Sequence, residues 1–268
     1  FEMNVLGIII KSLLIVASVI TMIINRPKKF KKPFVYTARV KRMIVTFTII
    51  TLIPLAVAVI SFLKGRFGTA FITLTVILCL TPIAALLSNL INYPIEEYIR
   101  RWYINDAKKI LSGMKSLDIV GITGSYGKTS MKFYLGELLN SQYNTLITPE
   151  SYNTPMGVVK TIRMMMKSTH EIFVCEMGAR HVGDIKELCD IVNPHDAIIT
   201  SIGPQHLETF GKIENIISTK FELGDAVNGK GKILVNGDDE NIRKGMGKYE
   251  NVITYGFSDD NDYKAKDI

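Results

Sequence analysis

Apolar residues are spread unevenly along this chain. Val5–Ile24 is apolar except for Lys11 and a few small polar residues, while Ile44–Leu63 and Phe67–Ile91 hold no charged residue. About twenty residues at about 1.5 Å each reach about 30 Å, the thickness of a hydrocarbon core. Amphipathic spacing is absent from these runs, and their polar positions are mostly Thr and Ser, whose hydroxyls can bond back to their own helix. The pattern predicts three transmembrane helices, over 5–24, 44–63 and 68–91, the first with Lys11 snorkelling or facing a partner. Together they make a membrane region over 1–92. A charged, helix-compatible connector follows over 93–115, in which Trp102 and Tyr103 suit either a headgroup anchor or simple packing.

Beyond the connector the pattern changes to short apolar runs alternating with helical stretches. Strands are predicted at 117–122, 145–148, 171–176, 196–201, 231–236 and 251–255, and helices at 128–140, 155–168, 183–192, 213–227 and 239–246. This alternation predicts an α/β fold over 116–268, a mostly parallel sheet with helices on both faces. Ligands of such sheets bind at the carboxyl ends of the strands.

Charge divides the chain at the same place. Up to Ser112 there are 15 Lys and Arg against 4 Asp and Glu; from Gly113 the counts are 17 and 21. The basic excess centres on the segment from Arg26 to Arg42, between the first two apolar runs. A polybasic loop flanked by membrane spans follows the positive-inside rule and needs no nucleic-acid partner. The expected topology is a multi-pass cell-membrane protein in contact with lipid. The Lys64-Gly65-Arg66 loop lies outside and everything after about Asn92 faces the cytoplasm. Cys79, Cys175 and Cys189 lack the spacing of a metal site or a disulfide framework. The chain opens on Phe1, so the natural start is expected upstream, and a cleaved leader is left open.

Three strand ends carry chemistry. The first predicted strand runs into Gly121-Ile-Thr-Gly-Ser-Tyr-Gly-Lys-Thr129 and then a helix. A glycine turn between strand and helix presents backbone N–H groups to phosphates, with Lys128 for the terminal phosphates and the Thr129 hydroxyl for a magnesium ion. The spacing departs from the P-loop rule, with Ile122 where its first glycine would stand. The third strand ends on Glu176, a carboxylate able to complete the magnesium shell, or else a surface or capping residue. The fourth is followed by His206, a metal ligand or an ordinary loop histidine. Lys220 reads by itself as a solvated helix lysine.

Five ordered stretches together resemble the Mur ligases, ATP-dependent amide-bond-forming enzymes of cell-wall precursor synthesis. They are Gly121–Thr129; Tyr152-Asn-Thr-Pro-Met-Gly157; Glu176-Met-Gly-Ala179 with Gly183-Asp-Ile185; Ile199–Gly211 followed by Lys220; and Asn236-Gly-Asp-Asp239. Within the family the likeness is strongest to the members that add D-alanyl-D-alanine to the muramoyl tripeptide. The resemblance implies that ATP phosphorylates a substrate carboxylate to an acyl phosphate, which an amine then attacks. It assigns catalysis to Lys128, His206 and Lys220. The nucleotide falls to Gly124, Ser125, Gly127, Lys128, Thr129, Ser130 and Asn236. The peptidoglycan precursor, or a similar peptide acceptor, falls to Asn153 and Thr154, although the family often has a second asparagine at the latter position. It gives one Mg2+ to Thr129 and Glu176 and a second to His206 and a carbamylated Lys220. Two departures stand out. Membrane spans occupy the place of the family's soluble UDP-sugar domain. The sequence also stops before the later histidine-asparagine motif and the amine-binding domain, so a truncated and inactive piece is expected. A poly-γ-glutamate synthase and a membrane scaffold without catalysis remain the alternative readings.

Overall fold

The computed structural model describes residues 35–266. The expected first span, 5–24, lies outside the described residues. Two compact units meet at Pro94 and Ile95.

The first unit contains α1 (Ala38–Leu63) and the first part of α2 (Phe67–Ser112). Thr37 caps α1 by accepting a hydrogen bond from Val40 N at 3.3 Å. Arg39, Lys41 and Arg42 therefore sit on the first turns of the helix and not in a loop. Between the helices, Gly65 takes a positive φ of 71° in the tight turn. Thr51, Thr73, Thr75 and Thr81 each donate to a carbonyl four residues back, which satisfies their hydroxyls without water. Asn92 Nδ2 donates to Thr46 Oγ1 on α1 at 2.9 Å and to Ser88 O at 2.7 Å. Both helices are long and apolar enough to cross a bilayer, and side chains such as Ile53, Leu63, Leu78 and Leu86 are exposed. The second helix does not stop where its apolar run does. It continues through Pro94, so the expected span and connector form one element.

In the second unit all seven strands are parallel, in the order β2-β3-β1-β4-β5-β6-β7. They are β1 (Asp118–Thr123), β2 (Thr145–Ile147), β3 (Ile172–Glu176), β4 (Asp196–Ile199), β5 (Ile233–Asn236), β6 (Val252–Gly256) and β7 (Tyr263–Lys264). The helices are α3 (Lys128–Asn140), α4 (Pro155–Met165), α5 (Asp184–Val192), α6 (Leu207–Phe210), α7 (Ile213–Val227) and α8 (Glu240–Met246). Alternation along the strands separates two cores. Ile122, Val174 and Ile198 pack with Met131, Leu135 and Leu139 of α3. On the opposite side Ile119, Phe173, Cys175, Ala197 and Ile199 join residues of α4, α5 and α7. The end of α2 belongs to that second core through Ala107, which is fully buried. There Arg163 of α4 bonds Asp106 at 2.6 Å and lies over the Tyr103 ring at 4.3 Å. Trp102 lies 5.2 Å from the same guanidinium and is otherwise half exposed.

From β1 the chain passes to β2, returns to β3 beside β1, and then crosses to β4 on the other side of β1. The carboxyl end of β1 is therefore the point where the strand order reverses, and a crevice opens there. Several elements are shorter than the sequence pattern suggests, among them the strand expected from 231, which begins at Ile233. The helix expected to 168 ends at Met165, and the strand expected to 201 ends at Ile199. Thr200 N still donates to Thr123 O at 3.0 Å, while the Thr200 and Ser201 hydroxyls hold the neighbouring loop through Tyr126 O.

Candidate active site

The loop after β1 is braced by residues that follow β4. Ser125 N donates to Ser201 O at 2.7 Å, Tyr126 N to Ser201 Oγ at 3.1 Å, and Thr200 Oγ1 to Tyr126 O at 2.6 Å. Ser125 Oγ donates to Gly203 O and accepts from Gly203 N, both at 3.0 Å. The hydroxyl and amide of Ser125 are thus committed to the loop's frame. Gly124 has φ of 151°, and a Cβ there would lie 2.2 Å from Thr200 Oγ1. No other residue type lets the two loops approach so closely. Gly127, also at positive φ, leads into α3, whose first-turn N–H groups have no partners within the helix. Ser130 is exposed on that same first turn.

Lys128 Nζ donates to Gly124 O at 2.6 Å and Ser125 O at 3.1 Å, so the ammonium lies folded over the loop. Burial lowers its pKa below the usual lysine range, and the Glu176 carboxylate acts in the opposite direction. Glu176, at the end of β3, is 1% exposed, which excludes the surface reading. Thr129 Oγ1 donates to its two oxygens at 3.2 and 3.1 Å, and Asn153 Nδ2 to Oε1 at 3.0 Å. The ammonium of Lys132, a residue the motif reading passes over, lies 3.0 Å from Oε2.

A cavity of about 480 Å³ opens at this sheet edge and is lined by Lys128, Asn153, Thr154, Arg180, His206 and Lys220, among others. Asn153 and Thr154 reach it while holding local bonds, Asn153 to Glu176 and Thr154 as the α4 cap that accepts from Gly157 N. His206 has a left-handed backbone (φ 56°), starts α6, and sets Nδ1 3.6 Å from Glu208 Oε1. Lys220 is 2% exposed, against the solvated-lysine reading. Burial, aided by the Lys128 charge, brings its pKa down to about 8, while Asp184 and Glu222 oppose the shift. Asn236 ends β5 but is absent from the cavity lining, where its Oδ1 closes a turn by accepting from Asp238 N at 3.1 Å. Arg180, His181 and Gln205 also line the cavity; the first two follow the Glu176-Met-Gly-Ala179 stretch directly, and Gln205 lies inside the Ile199–Gly211 stretch beside His206.

The hydroxyl of Thr129 and the carboxylate of Glu176 are hard oxygen donors on adjacent segments, a set that fits Mg2+. His206 with an ammonium at Lys220 does not fit a dication. That pair fits only with Lys220 converted to an anionic carbamate.

The Mur ligase middle domain model matches residues 122–268. The chain belongs to the Mur ligase family. It is 33% identical over 150 residues to the UDP-N-acetylmuramoyl-tripeptide--D-alanyl-D-alanine ligase of Bacillus subtilis, covering 56% of this chain and 32% of that protein. The enzyme of the same name from Mycobacterium tuberculosis is 36% identical over 133 residues, covering 50% and 26%. Among solved structures, MurF ligase from Thermotoga maritima in complex with ADP superposes with TM-score 0.56 at 34% identity, covering 59% of this chain and 37% of that one. MurF from Acinetobacter baumannii gives TM-score 0.54 at 30% identity, covering 59% and 35%. The Mur ligase chain described here therefore spans about a third of the length of these relatives.

Proposed function

We propose that this Mur ligase is a membrane-anchored ATP-dependent carboxylate–amine ligase of peptidoglycan precursor synthesis, adding D-alanyl-D-alanine to the UDP-muramoyl tripeptide. The relatives named for that reaction support the choice of substrates. The observation that carries the chemistry is one cavity in which Lys128, Asn153, Thr154, His206 and Lys220 converge beside the Thr129–Glu176 pair. In this reading residues 1–92 form the membrane region, 93–115 the connector and 116–268 the ATP-binding domain on the cytoplasmic side. The two apolar helices are what supports the anchoring.

Lys128 leaves the loop carbonyls and follows the γ-phosphoryl group as it moves to the substrate carboxylate, where positioning and charge neutralisation supply most of the rate. Loop amides from Gly127 to Ser130 hold the remaining phosphates, while those of Ser125 and Tyr126 keep the loop in shape. Asn153 orients Glu176, and Thr154 sets the start of α4 beside the acceptor. Mg2+ bound at Thr129 and Glu176, and at His206 with carbamylated Lys220, would neutralise phosphate charge. Attack by the amine on the acyl phosphate then forms the amide, and phosphate leaves.

Product analysis of the full-length protein with ATP, UDP-muramoyl tripeptide and D-alanyl-D-alanine tests this assignment. The pentapeptide product and ADP in equal amounts support it. ADP formed only with a glutamate polymer as acceptor would transfer the assignment to poly-γ-glutamate synthesis, and no nucleotide binding would leave a scaffold.

A further inference from the structure

Lys132 and Glu176 form a fully enclosed ion pair at the centre of the site. The lysine side chain is 0% exposed and the carboxylate 2%. The ammonium is also fixed from a second direction, because it donates to Glu150 O at 2.5 Å on the loop that leads to Asn153. Lys128 differs, since its ammonium bonds only carbonyls of its own turn and it lines the open cavity. Glu176 thus carries a buried counter-cation that a second bond, to Glu150 O, holds in place. A neutral pair has little net attraction for a dication, and the nearby ammonium repels it. Among the described residues, no three His, Cys, Asp or Glu side chains group as a ready metal site. Negative charge sufficient to hold Mg2+ at Thr129 and Glu176 must then come from the nucleotide's phosphates.

We propose that Lys132 is a positioning residue that makes divalent-metal binding at Glu176 conditional on nucleotide, by holding the carboxylate in place and cancelling its charge until phosphates arrive. The inference rests on the nucleotide reading of the loop given above. It assigns to Lys132 a suppression of free-metal binding, an effect that a residue needed only for folding would not have.

The test uses Mn2+ as the probe, followed by electron paramagnetic resonance on the whole chain in detergent, with and without ADP. ADP affinity is measured separately in the absence of any divalent ion. The wild type should bind Mn2+ at least about tenfold more tightly with ADP than without it. Lys132→Met and Lys132→Gln remove the charge, and the second retains a hydrogen-bond donor. Both should gain about tenfold or more in Mn2+ affinity without nucleotide, with a correspondingly smaller effect of ADP. Lys132→Met combined with Glu176→Gln should lose the gain, which locates the metal at Glu176. Folded neutral variants with no gain overturn the proposal. So does a wild type that binds Mn2+ equally well with and without ADP, a result that needs no variant to fold. Failure to bind ADP at all refutes the nucleotide reading instead.

Discussion

Replacing Lys220 by methionine should stabilise the chain while abolishing its chemistry. Lys220 is 2% exposed and lines the cavity beside Lys128 and His206. Burial lowers its pKa from 10.5 to about 8, so the folded chain binds this proton less tightly than the unfolded chain. The charged amine therefore opposes folding in full below about pH 8, and the penalty fades as pH rises towards 10.5. At about 1.4 kcal/mol per pH unit, the gap between 10.5 and about 8 amounts to about 3 kcal/mol. Lys220→Met has a similar length and no charge, so at pH 7 it should gain up to that amount. For a chain of this size the gain corresponds to a rise in Tm of about 6–12 °C. Thermal unfolding of the whole chain in detergent, in carbon dioxide-free buffers from pH 6.5 to 10, measures the difference. A variant no more stable than wild type at pH 7, or a gap that stays constant to pH 10, would refute the reasoning. The same shift has a chemical consequence. About half the amine is neutral at pH 8, against about 0.3% for an ordinary lysine, and only the neutral amine reacts with carbon dioxide. Bicarbonate labelled with carbon-13 should give a carbamate signal in the wild type that Lys220→Met lacks.

Three other outcomes are expected. Gly124→Ala places its Cβ 2.2 Å from Thr200 Oγ1 at a φ of 151°, so it should cost about 1–3 kcal/mol or more and abolish binding of a fluorescent ADP; unchanged affinity would show that the turn does not cradle phosphate. Lys128→Ala in the full-length protein should lower ATP-dependent ligation by about three orders of magnitude, about 4 kcal/mol, and near-normal turnover would make the loop purely structural. A cysteine placed at Gly65 in a Cys79→Ser background should react with an impermeant reagent on intact cells, whereas cysteines beyond residue 115 should not; the reverse pattern would overturn the topology.

The strands were legible because a strand buried on both faces leaves an uninterrupted apolar run, and Ile119–Ile122 and Phe173–Cys175 are such runs. The two residues of β7 and the four of α6 were not, since neither is long enough to establish a period. Lys128, Thr129 and Glu176 could be read because the first two open the helix after the turn that ends β1, the third is the last residue of β3, and a parallel sheet brings such positions to one end. The second half of α2 was split from the first at the change in hydropathy. Polarity reports the surroundings of a helix, whereas its continuity depends on backbone bonds that Pro94 interrupts only locally.

What escaped the pattern was burial of cations on helices. Lys132 and Lys220 sit among polar and apolar neighbours just as solvated lysines do, and no local spacing separates them from Lys212 or Lys244. Their burial depends on what the sheet places opposite them. Lys132 meets Glu176 from 44 positions later, and Glu150 O from a loop between. Lys220 meets a cavity wall shared with Lys128 and His206. This difference in partners assigns the two residues to opposite uses. A buried ammonium with two acceptors is held where it is, and removing it leaves a carboxylate exposed to any incoming cation. A buried ammonium beside another cation is relieved by losing its proton, and the neutral amine so formed is the species that takes up carbon dioxide and changes the sign of its charge. In the function proposed above, one buried lysine holds metal off a carboxylate until phosphate arrives, and the other would become an anionic ligand only after covalent conversion. Both make metal binding dependent on a second small molecule.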